Sequence, residues 1–338
     1  MESSQNIYKN VESCVLLDDK RTDWFQIELG LRQGCILSPL LFNLFINDLI
    51  EAVNNLGRGI RCGNKKISIL MFADDIVILA ENKKDLEYML DAVYNYSLQW
   101  RIKFNHEKCN VVVFDSKGPT SIQHDKCDLK CTCNHHYRLG LAFIKESLVY
   151  RYLGIELDNR LTFKLFKQEI FTKAKSSLNR VWYMGIKKGH LSVKALINLY
   201  ESLVRSQLEY GSEVWGKDKW MVGEKLQLNM GKKILRCTLH TSNEAIYGDL
   251  GWWSLEARRN YKKLVYWYHL ETLENNRITK RVYLLSKNNN KSTGWAVTIH
   301  KILSLYGLQR LYDNPRNLYN LDGKRNNEAK SITDHCRF

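Results

Sequence analysis

The stretch Lys66-Ile67-Ser68-Ile69-Leu70-Met71-Phe72-Ala73-Asp74-Asp75-Ile76-Val77-Ile78-Leu79-Ala80 sets two apolar, β-branched runs on either side of a pair of carboxylates. Two such runs around a short polar break predict a hairpin. Neighbouring residues on a strand point to opposite faces, but at a turn both carboxylates can lie near one point. A hard cation such as Mg²⁺ takes carboxylate oxygens and keeps several waters, so Asp74 and Asp75 are candidate metal ligands. The plain alternative is an aspartate-rich turn that only reverses the chain.

Outward from the hairpin, the elements alternate. Upstream, residues 11–17 and 24–29 read as strands joined by the polar turn Asp18-Asp19-Lys20-Arg21. Gly30 to Ser38 forms a tight connection, and Ser38-Pro39 opens a helix, with Ser as N-cap and Pro in the first turn. Leu40, Leu41, Leu44, Phe45, Leu49 and Val53 give that helix its apolar stripe. Downstream, Asn82 caps a second helix whose stripe is Leu86, Met89, Leu90, Val93 and Trp100, and a strand follows at Val111–Phe114. The pattern predicts an α+β class, an antiparallel sheet with helices on one face. Past an irregular polar segment at 115–150, helical periods take over at about 162–184, 192–210, 222–237 and 254–274, with a short amphipathic piece at 295–306.

Lys plus Arg number 51 against 36 Asp plus Glu, a net charge of +15, which favours a polyanionic partner. Nine scattered cysteines and a polar N-terminus without an apolar leader run predict reduced thiols in an intracellular setting, nucleus and cytoplasm not being distinguished. No apolar run is of membrane-spanning length, so no membrane partner is expected, and nothing indicates an obligate protein partner. Cys127, Cys131, Cys133, His135 and His136 crowd together in a way that suggests zinc, but they lack the second, separated pair of a structural site and read better as alternating hairpin residues.

Four ordered motifs carry a family resemblance. Gly30-Leu31-Arg32-Gln33-Gly34-Cys35-Ile36-Leu37-Ser38-Pro39-Leu40-Leu41-Phe42-Asn43-Leu44 resembles the nucleotide-side motif of non-LTR (LINE-type) retrotransposon reverse transcriptases. Phe72-Ala73-Asp74-Asp75 resembles their catalytic hairpin, Asn105-His106-Glu107-Lys108 their Asn-x-x-Lys segment, and Tyr152-Leu153-Gly154 their primer-grip turn. Leu203 to Trp215 and Leu250-Gly251-Trp252-Trp253 are also typical of such elements.

The resemblance implies an RNA-directed DNA polymerase with RNA template, DNA primer and dNTP as partners. It implies two Mg²⁺ ions in the intact enzyme, with Asp74 the principal ligand and Asp75 its assisting neighbour. Gln33 and Gly34 would meet the incoming nucleotide and the templating base, and Lys108 would steady or protonate the pyrophosphate, unless it is only a solvated lysine. The implied layout is a partial palm at 1–118, a variable hairpin and primer grip at 119–158, a helical thumb at 159–216, a helical C-terminal region at 217–310 and a disordered tail at 311–338.

The family takes a further carboxylate from a strand upstream of the Gln-Gly turn. Only 32 residues precede Gln33, and Asp18, Asp19 and Asp23 lie in or beside a turn. The chain is therefore expected to begin inside the palm and to be inactive alone. A catalytically silent nucleic-acid-binding remnant is the rival reading, and a group II intron maturase-like protein a third. Lys164, Lys167, Lys173, Lys175, Arg180, Lys187 and Lys188 would track duplex phosphates in a thumb, or form a solvated helix face. Trp252, Trp253, Tyr261, Tyr266, Trp267 and Tyr268 read as core in preference to base-stacking residues.

Overall fold

Short turns cut the N-terminal part of the chain into hairpins. The computed structural model describes residues 11–27, 30–115, 136–187, 189, 191–216, 219–288 and 294–313. Cys127, Cys131, Cys133 and His135 lie outside the described residues, as do Lys188 and most of the expected tail. The chain divides into two compact units, Met1–Phe104 with Arg138–Ala142, and Asn105–Tyr137 with Phe143–Phe338.

In the first unit, β1 (Glu12–Ser13) pairs with β4 (Phe25–Gln26), and β2 (Leu16–Leu17) pairs with β3 (Lys20–Arg21) around an Asp18-Asp19 turn. Helix α1 (Ser38–Asn54) follows. The expected strand 66–72 breaks at Ser68. Its first part, β6 (Lys65–Ile67), pairs with β5 (Ile60–Cys62), and its second, β7 (Ile69–Phe72), pairs with β8 (Asp75–Ile78). Asn82 caps α2 (Lys83–Trp100) as predicted, its Oδ1 accepting from the Asp85 amide at 2.9 Å.

The class is α+β, about as the alternation suggested, but the described strands form separate small sheets in place of one broad one. Two local expectations change. Leu37, not Ser38, occupies the N-cap of α1, and Ser38 Oγ instead donates to the Arg32 carbonyl at 2.7 Å, closing the loop below the helix. The buried face of α1 is Ile46, Leu49 and Val53, while Leu40, Leu44 and Phe45 stay exposed.

In the second unit, β9 (Asn110–Val111) is shorter than predicted and pairs in parallel with β11 (Ala142–Glu146), which follows β10 (His136–Leu139). The hairpin β12 (Val149–Tyr152) and β13 (Ile155–Asp158) leads into helices close to those expected. These are α3 (Lys164–Val181), ending in a π-helical turn at Trp182–Lys187, and α4 (Val193–Tyr200), running on through a π-helical stretch at Glu201–Arg205. Then come α5 (Ser212–Trp215), α6 (Met221–Ile234), α7 (Asn243–Leu250), α8 (Leu255–Thr272), α9 (Ile278–Asn288), α10 (Trp295–Leu305) and α11 (Gln309–Asp313).

Helix α3 buries Phe166, Ile170, Ala174, Leu178 and Val181, a stripe at helical spacing, against Tyr200, Trp215, Trp220, Met230 and Trp252. A second core gathers Leu264, Trp267, Tyr283, Ile299, Leu303 and Leu311. Trp252 and Trp267 are thus core residues, as their crowding suggested, and Trp252 stacks on Tyr200 at 4.4 Å. Trp215 packs edge-on against both Phe166 and Trp220 and donates its indole N–H to the Tyr210 carbonyl at 2.7 Å. Trp215→Ala should cost about 3–5 kcal/mol by opening this core. Urea unfolding monitored by circular dichroism measures it, and a loss under 1 kcal/mol would show that the site collapses around the gap.

Candidate active site

The residues expected to form a catalytic hairpin sit on a two-residue turn of the first unit. Phe72 pairs with Asp75, so Ala73 and Asp74 alone make the turn. Ala73 has φ 52°, while Asp74 is not among the positive-φ residues, the sign pattern of a type II′ hairpin turn. That position normally takes glycine, and an alanine there costs about 1–2 kcal/mol. Phe72, Ala73, Asp74 and Asp75 are all exposed, with both carboxylates presented at the hairpin tip.

Gln33 and Gly34 form an exposed turn in the same unit, between Arg32 and the start of α1. Gly34 has φ +83° and nothing within 4 Å of where a Cβ would stand, so the space beside its backbone is open. The Arg32 carbonyl holds the turn from below, accepting from the Cys35 amide at 3.3 Å and from Ser38 Oγ. Asn43 and Asn47 are exposed on α1.

Lys108 and the primer-grip residues belong to the second unit. Lys108 is exposed and closes a turn, its amide donating to the Asn105 carbonyl at 3.1 Å. Asn105 Oδ1 accepts from the Glu107 amide at 3.1 Å, and this self-bonded turn explains why Asn opens the segment. At the expected primer grip, Tyr152 pairs with Ile155, leaving Leu153 and Gly154 as a two-residue turn with φ 46° and 80°. Positive φ at both central positions is the type I′ geometry that matches strand twist, and it explains Gly154.

Residues without a role in the sequence reading hold this turn. Tyr210 donates its hydroxyl to the Leu153 carbonyl at 2.7 Å, and a Cβ on Gly154 would stand 3.2 Å from the Tyr210 ring. Gly211, at φ +61°, lets the backbone pass Ile155 where a Cβ would stand 2.5 Å from that side chain. Glu209, almost fully buried, pairs with Arg258, with Lys262 at 3.7 Å and with Arg205 at 3.8 Å. These three residues lie inside the Leu203–Trp215 stretch, so the signal was visible but its meaning was tertiary.

Asp158 ends the hairpin. Its carboxylate accepts from the amides of Arg160, Thr162 and Phe163 and from the Thr162 hydroxyl, at 2.7–3.1 Å. Partial burial would raise its pKa, but these donors outweigh that and hold it below the ordinary carboxylate value. They also fix the entry of α3, where Leu161 and Phe163 have positive φ.

Comparison with known proteins gives this arrangement a family. Residues 3–157 match the family described as reverse transcriptase (RNA-dependent DNA polymerase). The chain is 26% identical over 208 residues to "RNA-directed DNA polymerase from mobile element jockey" of Drosophila melanogaster, a match covering 60% of this chain and 21% of that protein. Residues 3–157 are a reverse transcriptase domain.

The chain is similar to further polymerases of mobile elements. It is 23% identical over 238 residues to "Probable RNA-directed DNA polymerase from transposon X-element" of Drosophila melanogaster, covering 66% of this chain and 24% of that protein. It is 32% identical over 152 residues to "Retrovirus-related Pol polyprotein from type-2 retrotransposable element R2DM" of the same organism, covering 45% and 14%. The chain thus spans 21–24% of the length of the first curated relatives it matches. The segment that matches the reverse transcriptase family contains Gln33, Gly34, Asp74, Asp75, Lys108 and Tyr152–Gly154.

Reverse transcriptases use a divalent metal, and the oxygen-only donors of Asp74 and Asp75 suit a hard cation. Among the described residues no group of three or more His, Cys, Asp or Glu stands ready to hold a metal, so the described donors are two carboxylates.

Asp158→Ala should lower stability at pH 7 by about 1–3 kcal/mol, the range for a charged acceptor. A depressed native pKa stabilises the fold above the unfolded value of about 4, and that contribution is lost as pH falls through the native pKa. The wild-type advantage over the variant should therefore narrow below about pH 4, measured by urea unfolding at pH 7 and pH 3. An equal advantage at both would show that the carboxylate charge contributes nothing.

Proposed function

We propose that this chain supplies the nucleotide-side part of a polymerase palm, with thumb and C-terminal helices, to RNA-directed DNA synthesis by a retrotransposon reverse transcriptase in an intracellular setting. The observation that carries the proposal is the Asp74-Asp75 pair at a two-residue hairpin tip, exposed and set by a strained Ala73. Template and primer binding follow from the family. RNA as template, DNA as primer and dNTP as substrate are the finer reading, supported by the names of the relatives and by the Gln33-Gly34 turn.

Asp74 and Asp75 would hold Mg²⁺, which when bound lowers the charge on the phosphates and favours attack by the primer hydroxyl. Gln33 and Gly34 present a polar side chain and open backbone to a nucleotide. Lys108, an exposed cation, can neutralise or protonate a departing pyrophosphate. The Leu153-Gly154 turn, held by Tyr210, would position the primer end. Among the described residues no helix is long and apolar enough to cross a membrane.

With two carboxylates as the described donors, the 338-residue chain alone should show no primer extension on RNA with Mg²⁺ and dNTPs. Joined to the upstream fingers and palm segment of a related polymerase it should incorporate nucleotides, and Asp74→Asn should then reduce the rate by orders of magnitude. Extension by the chain alone that vanishes in Asp74→Ala would overturn the first expectation. A folded fusion that never incorporates would overturn the polymerase reading.

The chain should also bind RNA–DNA hybrid chiefly through phosphates. Lys164, Lys173, Lys175 and Arg180 are exposed on α3 opposite its buried stripe, although Lys173 also pairs with Glu169 at 2.6 Å. Affinity measured by fluorescence anisotropy should fall steeply with rising salt and depend little on sequence. Salt-independent binding, or none at low salt, would count against a working thumb.

A further inference from the structure

Two long segments of the chain contain no acidic residue at all. Residues 170–200 hold Lys173, Lys175, Arg180, Lys187, Lys188 and Lys194, and residues 225–243 hold Lys225, Lys232, Lys233 and Arg236, with no Asp or Glu in either. The fold brings their ends together. The π-helical turn Trp182–Lys187 closes α3, and α6 packs against it so that Lys233 Nζ lies 4.9 Å from the centroid of the Trp182 ring. Lys187 Nζ lies 6.0 Å from the same ring and 5.5 Å from that of Tyr183. One half-buried indole thus lies within 6.0 Å of two ammonium groups from different helices, each attracted to its ring by cation–π interaction.

Around this pair the surface is open and partly aromatic. Tyr183 is 52% exposed, Met184 55% and Leu239 73%. Lys233 and Arg236 are exposed, while Lys232 is spent internally, donating to the Leu239 carbonyl at 2.7 Å and tying the loop after α6 against the helix. A basic residue in the last turn of a helix is ordinary stabilisation of its carbonyls. That role explains Lys232 and Lys233 as cations, but it does not explain a half-buried indole with cations from two helices around it and an exposed tyrosine ring next to it. π-helical turns are rare and recur at functional sites.

We propose that the surface formed by Trp182–Lys187 and the C-terminal end of α6 binds a single-stranded polynucleotide, with an unpaired base stacked on Tyr183 and phosphates held by Lys187, Lys233 and Arg236. Stacking rings interleaved with cations suit an unpaired strand, because a duplex offers phosphates but keeps its base faces covered. The surface lies outside the matched reverse transcriptase domain and uses none of the metal-hairpin residues. It goes beyond the polymerase reading and does not depend on it.

The experiment measures binding of the full chain to fluorescein-labelled 12-nucleotide RNA and DNA single strands and to a 12-base-pair RNA–DNA hybrid. Tyr183→Ala should weaken single-strand binding about tenfold while hybrid binding stays within about twofold. Tyr183→Phe, which keeps the ring, should bind single strands like wild type. Lys187→Gln with Lys233→Gln should lessen the salt slope for single strands by about 1.4. A 4-thiouridine-substituted strand should photo-crosslink to the 182–187 peptide. RNA and DNA strands bound alike indicate recognition through bases and phosphates, and a preference for RNA adds 2′-hydroxyl contacts; either supports the surface. The proposal is overturned if folded Tyr183→Ala binds single strands like wild type, if it loses hybrid binding equally, or if crosslinks fall only elsewhere. Should Tyr183→Ala fail to fold, the crosslink decides alone. Primer extension by the fusion reads the metal hairpin separately, so failure there leaves this result standing.

Discussion

The hydrogen bond from Tyr210 to the Leu153 carbonyl is the fixed point of the second unit. It joins two segments 57 residues apart and acts on a turn whose backbone carries positive φ at both positions. Its neighbours reinforce it. Glu209 gathers Arg205, Arg258 and Lys262 around one buried carboxylate, linking the stretch after α4 to α8. Removing any partner would leave charge inside the protein, so the corner tolerates little change. Trp215, one turn later, reaches back to the Tyr210 carbonyl and roots the corner in the aromatic core.

The two hairpin tips that the family resemblance ties to polymerase chemistry both hold a non-glycine residue at positive φ: Ala73 in one and Leu153 in the other. Each tip has only two turn residues, so strand twist dictates the backbone and the side chain must accept it. The strain has the same effect in both places. It fixes the path of the backbone into the next residue, Asp74 in the first case and Gly154 in the second. A looser loop would relieve the strain and lose that path.

Charge is handled differently at the surface and inside. Glu224 accepts from the Leu255 and Glu256 amides at 3.1 and 2.7 Å and from the Tyr247 hydroxyl at 3.0 Å, so a carboxylate closes the N-terminus of α8. Glu271 does the same for side chains, meeting Lys280, Lys287 and Tyr283 in the second core; although burial opposes it, these donors hold its pKa below the usual value. In the acid-free segments 170–200 and 225–243, Lys173 pairs with Glu169 and Lys232 is bonded internally, while Lys187, Lys233 and Arg236 are exposed. In the first unit the surface is of another kind, with Ile36, Leu40, Leu44 and Phe72 exposed.

The sequence by itself determined the helical stripes, the Asp74-Asp75 hairpin, the Asn82 cap and the family resemblance, because each is written within a few consecutive residues. Periodicity located α3, α4, α6 and α8 closely, and the crowding of Trp252 and Trp267 marked them as core. Tertiary structure alone decided that Ser38 bonds to Arg32 in place of capping α1, that Ser68 divides one apolar run between two hairpins, and that β9 pairs in parallel with a strand beyond the next segment. It alone set Glu209, Tyr210 and Gly211 around the Leu153-Gly154 turn, and placed Lys233 over Trp182. The physical reason is range: propensity and alternation act between neighbours in the chain, whereas these contacts exist only once distant helices have packed.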